Sequence, residues 1–262
     1  MNKNIISGGC SFTFGHELSD YKDSKTFSTK TWAHGLSNLV QGNHFSTAKG
    51  GLGNSGIARR TFNYVANNPT DFVLVMWTFT TRYDWAMPHN SYLEGGRWVS
   101  ITPWDTKINV EQIHQCSEPE QEIWRKRRTS LSTTGVTPLA DTIFKHASNQ
   151  YHEIYLSWKS IIWLQNILQK KKIPYLFTLA DNSLFYQDKT PHSDIDGLLK
   201  AMYNEIDFGN WHFFGERKMG FNQWALLNDY QRGATHPLDK AHKDAIMLMK
   251  DNFMRIYKKE IK

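Results

Sequence analysis

Residues 5–15 read IISGGCSFTFG. Asn4 to Ser7 form a short apolar run suited to a buried strand. Gly8 and Gly9 follow, which lets the backbone turn tightly and lets another group approach it closely. Cys10 and Ser11 then place a thiol and a hydroxyl just beyond the strand's end. On an extended segment these two side chains face opposite ways, so only one can enter a crevice. Ser11 is assigned that position, with Cys10 packed as a small buried residue. The plainer reading of Ser11 is a helix N-cap in an ordinary strand–helix turn.

Similar runs recur along the chain. HFSTA (44–48) is a weaker strand, and DFVLVMW (71–77) is a continuous run of the kind buried on both faces. IPYLFTLA (173–180) is a fourth strand and WHFF (211–214) a marginal fifth. Helical patterns lie between them at 31–40, 54–67, 150–172, 194–206 and 239–257. Strands alternating with helices predict an α/β fold with a central parallel sheet covered on both faces. The chain reads as a single domain over 1–262, with an insertion at about 84–149 after the third strand. EGGRWVSITPW (94–104) within it suggests a hairpin. In such sheets ligands bind at the carboxyl ends of the strands, where Ser11 falls.

Composition narrows the function classes. The 262 residues carry a net charge of +6, with 40% hydrophobic and 21% charged residues, as expected of a soluble globular protein. The densest basic run, Arg125–Arg128, follows Glu118, Glu120 and Glu122 and reads as one end of a charged surface helix. No recognition motif accompanies it, so no nucleic-acid partner is expected. Two cysteines, Cys10 and Cys116, give neither a disulfide framework nor a CxxC metal site. His236, Asp239 and His242 have a loose ligand look, but the histidines' spacing does not place them on one helical face, so no metal is expected. No glycine-rich loop followed by Lys-Ser/Thr is present, and no cofactor is expected. No apolar run is long enough to span a bilayer and no signal region opens the chain, which predicts a cytoplasmic protein without a membrane partner.

A serine nucleophile needs a base, normally histidine. THPLDKAH (235–242) places His236 just before Pro237 and the last helix, where a loop histidine can reach the same sheet edge. The order of GCSFTFG, GGLGNSGIARR and THPLDKAH resembles the SGNH/GDSL hydrolase superfamily, across the whole chain. The variant form is similar to uncharacterised SGNH-like proteins of bacterial viruses, which makes host cytoplasm or a virion further expected locations. The resemblance implies a three-layer α/β/α, flavodoxin-like fold. It implies Ser11 as nucleophile and His236 as base, with the main chain of Ser11 and of Gly53 or Asn54 as oxyanion donors. Cys10 stands where the family has aspartate.

Two family features are missing. The asparagine usual after strand three is absent from MWTFTTRYDW (76–85), where Thr78, Thr80 or Arg82, or the side chain of Asn54, are the substitutes. The aspartate usual three residues before the histidine is replaced by Gly233, leaving Asp229, Asp239 or a backbone carbonyl to orient His236. The implied activity is a serine esterase cleaving a short-chain acyl ester, such as O-acetyl on a carbohydrate. The alternatives are an inactive scaffold that binds glycans or assembles into a particle, and an O-acyltransferase. Trp77, Trp85, Trp98 and Trp104 are candidates to stack on a sugar ring or, more plainly, to pack the insertion.

Overall fold

The computed structural model describes residues 2–23, 25–87, 98–106, 135–185 and 197–260. Four parallel strands, β1 (Asn4–Gly8), β2 (Asn43–Ser46), β3 (Phe72–Trp77) and β6 (Tyr175–Leu179), lie in the order β2-β1-β3-β6. A separate antiparallel hairpin joins β4 (Tyr83–Ala86) to β5 (Trp98–Ile101). The helices are α1 (Ser11–Phe14), α2 (Trp32–Asn38), α3 (Asn54–Asn67), α4 (Val136–Thr142), α5 (Gln150–Lys170), α6 (Leu198–Asn204), α7 (Phe221–Leu227) and α8 (Asp239–Glu260).

β3 explains the layering. Alternate side chains of a strand point to opposite faces. Phe72, Leu74 and Met76 enter one core with Trp32 and Leu36 of α2 and Met249 and Phe253 of α8. Val73, Val75 and Trp77 enter the other with Ile57 and Val65 of α3 and Ile161 and Leu164 of α5. Both faces are covered, so the strand is apolar throughout. The result is the α/β fold with a central parallel sheet that the sequence predicts. Tyr83, Val99 and Ile101 of the hairpin form a third, smaller core with Val136 and Ala140 of α4.

Some elements differ from the sequence reading. The stretch 211–214 makes only one parallel bridge, Trp211 to Phe177. His212 N–H donates to the Phe177 carbonyl at 2.8 Å, and Phe214 N–H then bonds the Met219 carbonyl at 3.0 Å, which turns the chain off the sheet. α4 and α7 were not anticipated. The run Arg125–Arg128, Cys116, residues 94–97 of the expected hairpin and the first residues of the helix expected at 194–206 lie outside the described residues. Among the described residues, no helix is long and apolar enough to cross a membrane. None of them form a cluster of three or more His, Cys, Asp or Glu suited to a metal ion.

One side chain ties α3 to the end of β3. Asn54 Oδ1 accepts from Thr78 N–H at 2.8 Å, and Asn54 Nδ2 donates to the Thr78 carbonyl at 3.1 Å and to Ser157 Oγ at 3.0 Å. The residue is buried, so truncation would strand both polar groups of the Thr78 main chain away from water. Asn54→Ala is therefore expected to lower unfolding free energy by about 2–4 kcal/mol, read from urea denaturation.

Several histidines are buried as neutral rings. His242 Nδ1 accepts from Trp32 N–H at 3.2 Å, and His44 Nε2 lies 3.0 Å from Ser7 Oγ. Burial lowers the pKa of His44 and His242 to about 3 and that of His212 to about 4. Neighbouring His34 adds to the effect at His44, and His236 adds to it at His242. These values lie below the unfolded value of 6.5, so the unfolded chain binds the extra protons. The stabilisation is complete above pH 6.5 and is lost as pH falls toward 4 and then 3. The limiting slope is about 1.4 kcal/mol per pH unit for each such ring. Chemical denaturation at a series of pH values should show the urea midpoint falling below pH 6.5, with a shallower fall in His242→Asn.

Candidate active site

The site grows from the end of β1. A Cβ added at Gly9 would stand 2.6 Å from Thr13 Cβ and 3.3 Å from the Met76 carbonyl oxygen, so the turn into α1 requires glycine. Cys10 occupies the N-cap of α1 and Ser11 its first helical position. Thr78 Oγ1 donates to Cys10 Sγ at 3.2 Å, which holds the thiol inside the core. Ser11 points the other way, with its Oγ 2.7 Å from His236 Nε2. Of the two candidate nucleophiles, the structure brings Ser11 to the histidine and packs Cys10.

His236 stands on a loop closed at its base. Leu238 N–H bonds the Gln231 carbonyl at 3.0 Å and Gly233 N–H bonds the His236 carbonyl at 2.9 Å. Arg232 braces the loop by donating to the Thr235 carbonyl at 2.6 Å and to Asn222 Oδ1 at 2.9 Å. The imidazole packs on Phe12, ring centroids 4.7 Å apart, with the His16 ring 6.0 Å away. Burial, aided by the His236 charge, lowers the His16 pKa to about 4.

The carboxylate beside His236 is neither of those expected. Asp239, first in α8, accepts from Ser19 N–H at 3.0 Å and Ser19 Oγ at 2.6 Å and pairs with Lys30 at 2.7 Å. Burial alone would raise its pKa, but the bonds from Lys30 and Ser19 outweigh this and hold it at about 2. Asp229 lies in the turn after α7, with φ of 51°, and no hydrogen bond links it to His236 among the described residues. The carboxylate that stands there is that of Glu17. Its Oε1 is 3.3 Å from His236 Nδ1, and its Oε2 accepts from the N–H groups of His236 at 3.0 Å and Thr235 at 3.1 Å. Thr235 Oγ1 lies 2.9 Å from Glu17 Oε1 and 2.7 Å from His236 Nδ1.

The oxyanion candidates are also sorted by geometry. Thr78 is committed on every polar atom, since its N–H goes to Asn54 and its hydroxyl to Cys10. The side-chain amide of Asn54 is used by Thr78 and Ser157. Arg82 donates to the Leu52 carbonyl at 3.3 Å. Gly53 N–H is drawn to the carboxylate of Asp84, which also accepts from Gly56 N–H at 2.8 Å and Ser100 Oγ at 2.5 Å. Burial raises the Asp84 pKa against those bonds and the nearby Arg59. Thr80 is buried, and the main-chain N–H groups of Ser11 and Asn54 make no hydrogen bond among the described residues. Each opens a helix, where the first amides have no intrahelical acceptor.

The tryptophans divide. Trp77 is buried in the sheet core, which removes it as a stacking surface. Trp85, Trp98 and Trp104 are exposed at the hairpin and just after it, and Arg59 lies 4.1 Å over the Trp98 ring. Sequence reasoning missed Glu17 and Thr235. The available signals were an acid six residues beyond Ser11 and a hydroxyl directly before His236.

No family model matches the chain, and no curated protein matches it. Among solved structures it is similar to a putative G-D-S-L lipolytic protein from Desulfitobacterium hafniense, at 10% identity and a TM-score of 0.44, with 96% of this chain and 99% of that one covered. It is similar to a carbohydrate esterase family 2 enzyme of Corynascus thermopiles (Myceliophthora fergusii), at 12% identity and a TM-score of 0.47, over 98% of this chain and 67% of that one. An extracellular lipase from Streptomyces rimosus is similar at 10% identity and a TM-score of 0.43, over 97% of this chain and 99% of the lipase.

Proposed function

We propose that the protein is a serine esterase that cleaves a short-chain acyl ester, with an O-acetylated carbohydrate as the first substrate class to test. The observation that carries the reading is the 2.7 Å contact between Ser11 Oγ and His236 Nε2. It joins residues 225 positions apart at the carboxyl edge of a parallel sheet, where ligands bind in such folds. A nucleophile and base within hydrogen-bond reach are the minimum for acyl transfer. The same contact counts against an inactive scaffold.

In the first half-reaction His236 Nε2 accepts the Ser11 hydroxyl proton as Oγ attacks the ester carbonyl. The main-chain N–H groups of Ser11 and Asn54 stabilise the resulting oxyanion, aided by the positive end of α3. Collapse expels the alcohol, which takes the proton from His236 and leaves the acyl group on Ser11. Water then repeats the sequence: His236 takes its proton, the hydroxide equivalent attacks the acyl carbonyl, and Ser11 regains its proton as the acid leaves. Transfer to a second alcohol in place of water would give an acyltransferase. Nothing in the site favours that over hydrolysis.

Purified protein should release nitrophenol from an aryl acetate and acetate from an acetylated oligosaccharide. Ser11→Ala and His236→Ala should each lower kcat by about 10³-fold or more, while folded Cys10→Ala keeps most of the activity. Loss of activity in Cys10→Ala with retention in Ser11→Ala would overturn the assignment.

A further inference from the structure

We infer that Glu17 is the positioning acid of His236, supplied from the turn after α1 into space that Gly233 leaves open, and that it sets the imidazole tautomer through the hydroxyl of Thr235. This rests on the esterase reading for its effect on rate, though not for its effect on the tautomer.

Three independent observations carry it. The first is the bonding. Glu17 accepts from Thr235 N–H, His236 N–H and the Thr235 hydroxyl, and lies 3.3 Å from His236 Nδ1. Burial alone would raise its pKa, but the bonds from His236 and Thr235 outweigh that and hold it at about 2, so it is ionised at neutral pH. A carboxylate can only accept, so the single hydroxyl hydrogen of Thr235 goes to Glu17. Thr235 Oγ1 can then face His236 Nδ1 only as an acceptor, which puts the ring proton on Nδ1. Nε2 is left with its lone pair toward Ser11 Oγ, as a general base requires.

The second is the space. A Cβ added at Gly233 would collide with Glu17 Oε2 and stand 3.0 Å from Glu17 Cδ and 3.1 Å from its Cβ. The resemblance expects an aspartate at this position. In this chain that volume is filled by a carboxylate arriving from the other side, and glycine is what admits it. The third is the backbone. Glu17 has φ of 66°, a left-handed conformation that L-residues other than Asn and Asp seldom adopt. Such a conformation persists where surrounding bonds over-determine it.

The test combines Glu17→Gln with a transplant. The glutamine amide can donate to Thr235 Oγ1, which reverses the hydroxyl and makes Nδ1 an acceptor, so the proton moves to Nε2. Nitrogen-15 NMR of the imidazole should show Nδ1–H in the wild-type protein and Nε2–H in Glu17→Gln, whether or not any ester is hydrolysed. With an aryl acetate, kcat should fall by about 10²–10⁴-fold with KM nearly unchanged. Gly233→Asp alone should lose activity through its collision with Glu17. The double variant Glu17→Gly with Gly233→Asp should recover at least about tenfold over Glu17→Gly, since the residue at 17 suits φ > 0 and the acid returns from position 233. A Glu17→Gln protein that keeps Nδ1–H would overturn the inference, as would a folded Glu17→Gly protein with wild-type kcat. A wild-type protein inert toward every ester, with the tautomer change still present, would instead sink the esterase reading and leave the positioning role standing.

Discussion

A parallel sheet delivers the carboxyl end of every strand to one edge, and the rest of this molecule follows from that constraint. β1 and β3 run side by side in register, with Ser7 opposite Leu74 and Gly8 opposite Val75. The residues that follow each strand therefore emerge together. Cys10 meets Thr78 because both have just left neighbouring strands. Asn54, at the start of α3, the crossover helix from β2 to β3, reaches the same Thr78 with both ends of its amide. The floor of the site is thus built from side chains that satisfy the main chain at the strand ends. This is why so few donors at that edge remain for a ligand.

Electrostatically, the site is arranged by burial and by charge placement. Desolvation keeps His44, His212 and His242 neutral near pH 7. Two carboxylates, Glu17 and Asp239, are held ionised by hydrogen bonds that overcome their own desolvation. They serve different ends of one loop: Glu17 grips Thr235 and His236, while Asp239 fastens α8 to Ser19 and Lys30. The segment 17–19 is thereby pinned to the loop from both directions.

What the sequence disclosed follows the same physics. β3 was legible because burial on both faces writes an uninterrupted apolar run, and α3 because its pattern begins after glycines and ends at Asn67. Ser11 and His236 were legible because each is anchored to an element boundary that punctuation residues mark. Glu17 was not. Its position depends on Gly15 in the left-handed region and on its own positive φ, which together redirect the chain in a way no spacing records. Asp239 misled by adjacency, since the first residue of a helix beginning three positions on points back toward Ser19 and not toward the ring. α7 was hidden because seven residues with only Phe221, Trp224 and Ala225 buried give too short a period to read.

Ser11 and Glu17, which both face His236, lie six residues apart, while His236 joins them across 219 to 225 positions. A nascent chain therefore holds Ser11 and Glu17 from the outset and lacks their partner until synthesis has passed residue 236. The closing of that long loop is a strongly non-local event and carries a correspondingly large loop entropy. Until it forms, Ser11 is an ordinary hydroxyl. The contact between Ser11 and His236 thus exists only once the tertiary structure is complete, and a truncated chain lacks it.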